Sequence, residues 1–141
     1  MIADIRDYFR QVINEVDSDL KEHDEALSSD KISDTILENT YFLKIGDIQS
    51  SRLDTTIESL LTVTLDFWKN GYNKPVENYD EAYCKAIDIQ ALSMYQPRID
   101  QQGDIKSVEC VGIRTDYSAT NDNLYKFSLE FTVRLCYKYQ I

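Results

Sequence analysis

The sequence predicts an α+β fold: two helices packed on one face of a four-stranded, mainly antiparallel sheet, in the order α-β-β-α-β-β. Three observations predict it. Apolar residues recur at intervals of three and four near the N-terminus and again after Pro75. They alternate with polar residues around 61–68 and 125–139. Each of these elements has a single apolar side, so the helices must cover one sheet face and leave the other polar. A chain of 141 residues, 43% of them hydrophobic, makes one domain (1–141) whose core needs no disulfide or metal staple.

The first helix is read from Ile2, Ile5, Phe9, Val12, Ile13, Val16 and Leu20, which form one apolar stripe. Asp4 and Asp7 stand in its first turns, where the helix dipole favours anions. The stripe dissolves into an acidic stretch from Asp17 to Asp34, expected to be loop. Tyr41 to Gly46 is a short strand with Tyr41, Leu43 and Ile45 on one face, followed by a polar stretch from Asp47 to Thr55. In the second strand Leu61, Val63, Leu65 and Phe67 alternate with Thr62, Thr64, Asp66 and Trp68, ending at Asn70-Gly71. Closeness in sequence predicts an antiparallel hairpin for this pair.

Pro75 suits a first helical turn, and Val76, Tyr79, Ala82, Tyr83, Ala86, Ile87 and Ile89 give a second amphipathic helix that ends before Pro97. Ile105 to Thr115 is a third strand with apolar residues on both faces. The last strand is the clearest element. Tyr125, Phe127, Leu129, Phe131, Val133, Leu135, Tyr137 and Tyr139 all fall on odd positions. Phe127, Leu129, Phe131 and Val133 are expected to be buried with Leu61, Val63 and Leu65.

Charge and composition narrow the function. The formal net charge is −10, which argues against reading nucleic acid or docking on anionic lipid. Residues 1–60 carry most of it, with 14 acids against 6 bases. There is one histidine, His23, and the three cysteines Cys84, Cys110 and Cys136 lie far apart. No catalytic residue, cofactor or metal is therefore expected, and the thiols are expected to be reduced, as in a cytoplasm. Asp17-Ser18-Asp19 begins like a calcium loop, but Glu22 stands where glycine is needed and Ser28 where the bidentate glutamate belongs. The N-terminus is charged too early for a secretory signal, and no apolar run reaches the roughly 18 residues of a membrane span. Ten tyrosines favour half-exposed contacts, with Tyr72, Tyr95 and Tyr117 near loops. The interface residues expected in those loops are Ser50, Ser51 and Arg52, Tyr72, and Arg98.

Several stretches together resemble the tail terminator (tail completion) proteins of long-tailed bacteriophages. They are Met1 to Phe9, Tyr41 to Gly46, Val63 to Gly71 with the helix after it, and Asn121-Asp122-Asn123 leading into Phe127 to Arg134. The likeness covers most of the chain as a pattern and is least in the acidic stretch. It implies a structural protein without catalytic activity that forms a homo-hexameric ring. Such a ring caps the tail-tube protein, stops its polymerisation and presents a surface to the head–tail connector proteins. The implied location is the head-proximal end of the virion tail, after assembly in the bacterial host cytoplasm. Genome DNA would pass through the lumen without specific binding, and an acidic wall would keep it from sticking. Two rival classes stand beside it: another head–tail junction ring protein (stopper or adaptor), which would share the location but bind different neighbours, and a small acidic inhibitor or immunity protein that masks a basic enzyme.

Overall fold

The structure is a computed structural model that describes residues 2–23, 38–53, 56–71, 74–95, 105–117 and 124–138. In chain order these form α1 (Ile2–Val16), β1 (Lys21–Glu22), β2 (Thr40–Leu53), β3 (Thr56–Asn70), α2 (Pro75–Tyr95), β4 (Ile105–Tyr117) and β5 (Leu124–Lys138).

The sheet corrects the sequence expectation. Among the described residues it has five strands in the order β1-β2-β3-β5-β4, and it is mixed. β1 runs parallel to β2, through Lys21 opposite Thr40 and Glu22 opposite Tyr41, whereas the other three pairings are antiparallel. Among the described residues the element order is therefore α-β-β-β-α-β-β. A two-residue strand cannot show a period of two. It is made by backbone alone: Lys21 N–H donates to the Asn39 carbonyl at 3.0 Å and His23 N–H to that of Tyr41 at 2.9 Å.

α1 buries Ile5, Tyr8, Phe9, Val12 and Ile13 almost completely. It ends four residues before the stripe does, because Asp17 turns the chain: its carboxylate accepts the N–H of Asp19 at 3.0 Å. Leu20 still reaches the core from the strand side of that turn. α2 runs antiparallel to α1, with the Tyr8 hydroxyl donating to the Ser93 carbonyl and Lys85 bridging to Asp17.

Against these helices β3 turns Leu61, Val63, Leu65 and Phe67, and β5 turns Phe127, Leu129, Phe131, Val133 and Leu135. The register is fixed by Val63 opposite Phe131 and Leu65 opposite Leu129. A slip of one residue would send this whole set to the other face. Phe9 closes on Phe131 at 4.9 Å, and Tyr79 and Tyr83 of α2 lean on Phe127.

The other sheet face is not uniformly polar. Trp68 and Leu124 are buried there, with Phe42 packed on them and His23 in ring contact with Phe42 at 5.0 Å. Phe42, Trp68 and Leu124 occupy even positions that alternation assigns to the polar side. Towards the middle of the same face the expected polarity holds, with Ser128 donating to Asp66 at 2.5 Å and Lys126 facing it at 3.7 Å.

Candidate assembly interface

Ser50, Ser51 and Arg52 do not lie in a loop. The polar stretch after Gly46 continues as strand to Leu53, and these residues pair with Ser59, Glu58 and Ile57 of β3. Polar side chains on both faces hide a strand from periodicity, but the ladder needs only backbone groups. A register shift between Ile45 and Ile48 bends β2 at this point and separates its core half from its exposed half. Tyr72 and Arg98 lie outside the described residues.

Beyond that bulge the helices leave β2 uncovered. Ile48, Ser50 and Arg52 point to the helical side, Gln49 and Ser51 to the other, and all five are exposed. Ile48 is 44% exposed and Leu60, on the neighbouring strand, 37%. Within this arm the Ser50 and Ser59 hydroxyls share a hydrogen bond at 2.7 Å, and Arg134 reaches Glu58 at 3.4 Å. The outer edge of β2 has a strand neighbour only at Thr40 and Tyr41 among the described residues. Arg6 caps one edge carbonyl, that of Leu43, at 3.0 Å. The opposite edge of the sheet is β4, whose bulge residue Val111 is 64% exposed. Among the described residues the sheet thus ends in two different open edges, and neither edge strand contains proline.

The electrostatics of the two layers differ. Asp4, Asp7, Glu15 and Asp19 are exposed at or just beyond α1, and Glu77, Asp80, Glu81 and Asp88 are exposed on α2. The outer sheet face instead mixes signs, as in Asp66 with Lys126 and Glu58 with Arg134. Among the described residues, acids therefore outnumber bases on the helical layer. Two groups at the α1–β1 junction are shifted. Arg10 lies above its usual range because Glu22 accepts its Nε–H at 2.5 Å. Burial, with the Glu22 charge adding to it, pushes the Tyr41 phenol up to about 12.

Tyr41 gives a test of that burial. A raised folded pKa means stability present in full below the unfolded value of 10 and lost as pH rises through about 12. Absorbance near 295 nm should show a phenol ionising about two units after the exposed tyrosines. Tyr41→Phe should delete that step; a Tyr41→Phe curve that keeps it would place the late phenol elsewhere.

Among the described residues no three His, Cys, Asp or Glu side chains are grouped to hold a metal ion. No helix among them is long and apolar enough to cross a membrane. The three cysteines are free thiols, Cys84 exposed and the other two half-buried. No protein-family model matches the chain, and no curated protein is significantly similar to it.

Proposed function

We propose that this is a structural assembly protein of the tail-terminator type: a non-enzymatic subunit of a hexameric ring that caps a phage tail tube and joins it to the head connector. The observation that carries the reading is the sheet with two unlike open edges and an uncovered strand end at Ile48 to Arg52. Unlike flanks are what a heterologous, ring-closing contact requires, since each subunit offers one flank and receives the other. The sequence resemblance supplies the type of ring. The acidic helical layer supports a subunit that does not hold DNA. It also makes neighbouring subunits repel, so free protein should assemble weakly at low salt and better with screening. A tube tip that holds six subunits together would overcome that repulsion by effective concentration.

The test is infection with the gene disrupted. Overlong or unjoined tails beside filled heads are expected. Tails of normal length that still attach to heads would overturn the proposal and favour an inhibitor. A finer version replaces Ser50, Ser51 and Arg52 together by glutamate. The fold should survive, because all three residues are exposed, at the cost of the Ser50–Ser59 hydroxyl bond, whereas tail joining should fall at least tenfold.

A further inference from the structure

Among the described residues β4 is an edge strand, and two bulges interrupt it. Cys110 stands opposite Phe131 and Gly112 opposite Glu130, so Val111 is the extra residue of one bulge. Ile105 stands opposite Leu135 and Ser107 opposite Arg134, so Lys106 is the extra residue of the other. When each bulge counts as one position, the alternation along β4 is regular. Val108, Cys110, Ile113 and Thr115 then share the helical face, and Glu109, Gly112, Arg114 and Asp116 the outer one. The middle of this edge is open. Glu109, Gly112, Arg114 and Asp116 are exposed, Val111 is 64% exposed, and a Cβ on Gly112 would meet no atom within 4 Å.

The charges along the edge run Lys106, Glu109, Arg114, Asp116: plus, minus, plus, minus. Reversed, that order is its own complement. A second copy running antiparallel, related by a two-fold axis through the Val111–Gly112 bulge, sets Glu109 opposite Arg114 and the Lys106 bulge opposite Asp116, each pairing made twice. The same register matches the faces, with Cys110 opposite Ile113 and Val108 opposite Thr115. A slide of two positions one way would set Glu109 against Asp116, and the other way Lys106 against Arg114. A slide of one position would oppose side chains of different faces. Charges on an edge strand commonly guard it against pairing. In this order they exclude the neighbouring registers and leave one. Glu109 and Arg114 are about 13 Å apart along their own strand, and neither makes an ion pair among the described residues.

α2 adds a contact at the same height. The Tyr79 hydroxyl bonds Thr115 at 3.4 Å, and the Gln90 side chain is hydrogen-bonded to Cys110, so α2 runs antiparallel to β4. Ile87 lies about 4.5 Å along the helix from Gln90, level with the Val111–Gly112 bulge. It stands about 200° around the helix from Lys85, which faces α1, and it is 45% exposed. The two-fold axis brings Ile87 of one copy towards Ile87 of the other, over the helical side of the joint.

We propose that the free protein forms a two-fold dimer in which β4 pairs antiparallel with β4 of a second copy about the Val111–Gly112 bulge, so that one sheet runs through both subunits. Such a contact closes on itself and does not propagate. It occupies a flank that a ring contact would use, so the pair must part before a ring closes. The dimer stands on β4 and α2 alone and does not depend on the ring proposed above.

Sedimentation equilibrium of the full chain should show monomer and dimer with a Kd of about 10–100 μM, because one strand pairing is smaller than a standard interface and both subunits are acidic. Glu109→Arg and Arg114→Glu each set like charges opposite one another twice and should weaken the dimer about tenfold or more. Their thermal midpoints should be unchanged, since both residues are exposed. An equimolar mixture of the two variants restores both opposite-charge contacts and should dimerise within about threefold of wild type. The double variant Glu109→Arg/Arg114→Glu should do the same by itself. Rescue by mixing belongs to the two-fold contact, because a contact between unlike edges never brings residues 109 and 114 together. A protein that stays monomeric up to about 1 mM, a dimer indifferent to either substitution, or a loss that neither the mixture nor the double variant restores would each overturn the proposal.

Discussion

Phe131→Asp is expected to abolish folding. Phe131 has no exposed surface, faces Phe9 at 4.9 Å, and stands between Val63 and Cys110 on the two neighbouring strands. Removing a ring from such a site costs about 3–5 kcal/mol through lost burial and the cavity left behind. A carboxylate in the same place adds the penalty of an unpaired polar or charged group among apolar side chains. The sum approaches or exceeds the ~5–15 kcal/mol that holds a domain of this size together. Circular dichroism and urea titration would show it directly. Phe131→Leu separates packing from charge: it should stay folded and lose only about 1–2 kcal/mol. A folded Phe131→Asp protein with an unchanged midpoint would remove residue 131 from the core and shift the register of β5.

That register was legible because β5 carries its apolar residues on every odd position from Tyr125 to Leu135. Periodicity reports burial on one face, and the middle of β5 is buried on one face. The same reasoning misses β2 beyond Gly46. Ile48 to Arg52 are exposed on both sides, so no alternation could mark them. What holds them in a strand is pairing with β3, a property of the partner as much as of the segment. β1 escapes for a simpler reason: it contributes two polar residues and a few backbone hydrogen bonds. Trp68 and Leu124 expose the converse error. Large apolar residues on the even positions of β3 and β5 were a signal that the second face is not wholly polar.

The site was legible only in part. Ser50, Ser51 and Arg52 were expected at the surface for their composition, and they are exposed, but as strand and not as loop. The ion-pair junction between α1 and β1 had no sequence signal. Tyr41 was expected on one strand face with Leu43 and Ile45, and Glu22 only broke a calcium-loop match. That the guanidiniums of Arg6 and Arg10 share the Glu22 carboxylate depends on α1 and β1 meeting in space.

Lys85→Met is expected to be the most damaging single loss of charge, at about 1–3 kcal/mol near neutral pH. Lys85 Nζ lies 2.6 Å from Asp17, and both side chains are about one-fifth exposed. The pair joins the end of α1 to the middle of α2. Burial alone would raise the Asp17 pKa. The Lys85 hydrogen bond, the Asp19 N–H and the charges of Lys85 and Lys69 outweigh burial and hold it below the ordinary 3.8. A lowered folded pKa means that the carboxylate's contribution is complete above the unfolded value and is lost as pH falls through the folded one. The wild-type protein should therefore lose stability from this pair only below about pH 4. In Lys85→Met the balance reverses, burial dominates, and Asp17 takes up its proton earlier. Urea midpoints at pH 7 and at a second pH below the lowered wild-type Asp17 pKa should differ between the two proteins at the first and converge at the second, where Asp17 is protonated in both. High salt should narrow the neutral gap but not close it, because the pair is partly shielded from solvent. An equal deficit at both pH values would assign the effect instead to the Lys85 stem and its ammonium over the Phe67 ring, 6.0 Å away, neither of which depends on the charge of Asp17.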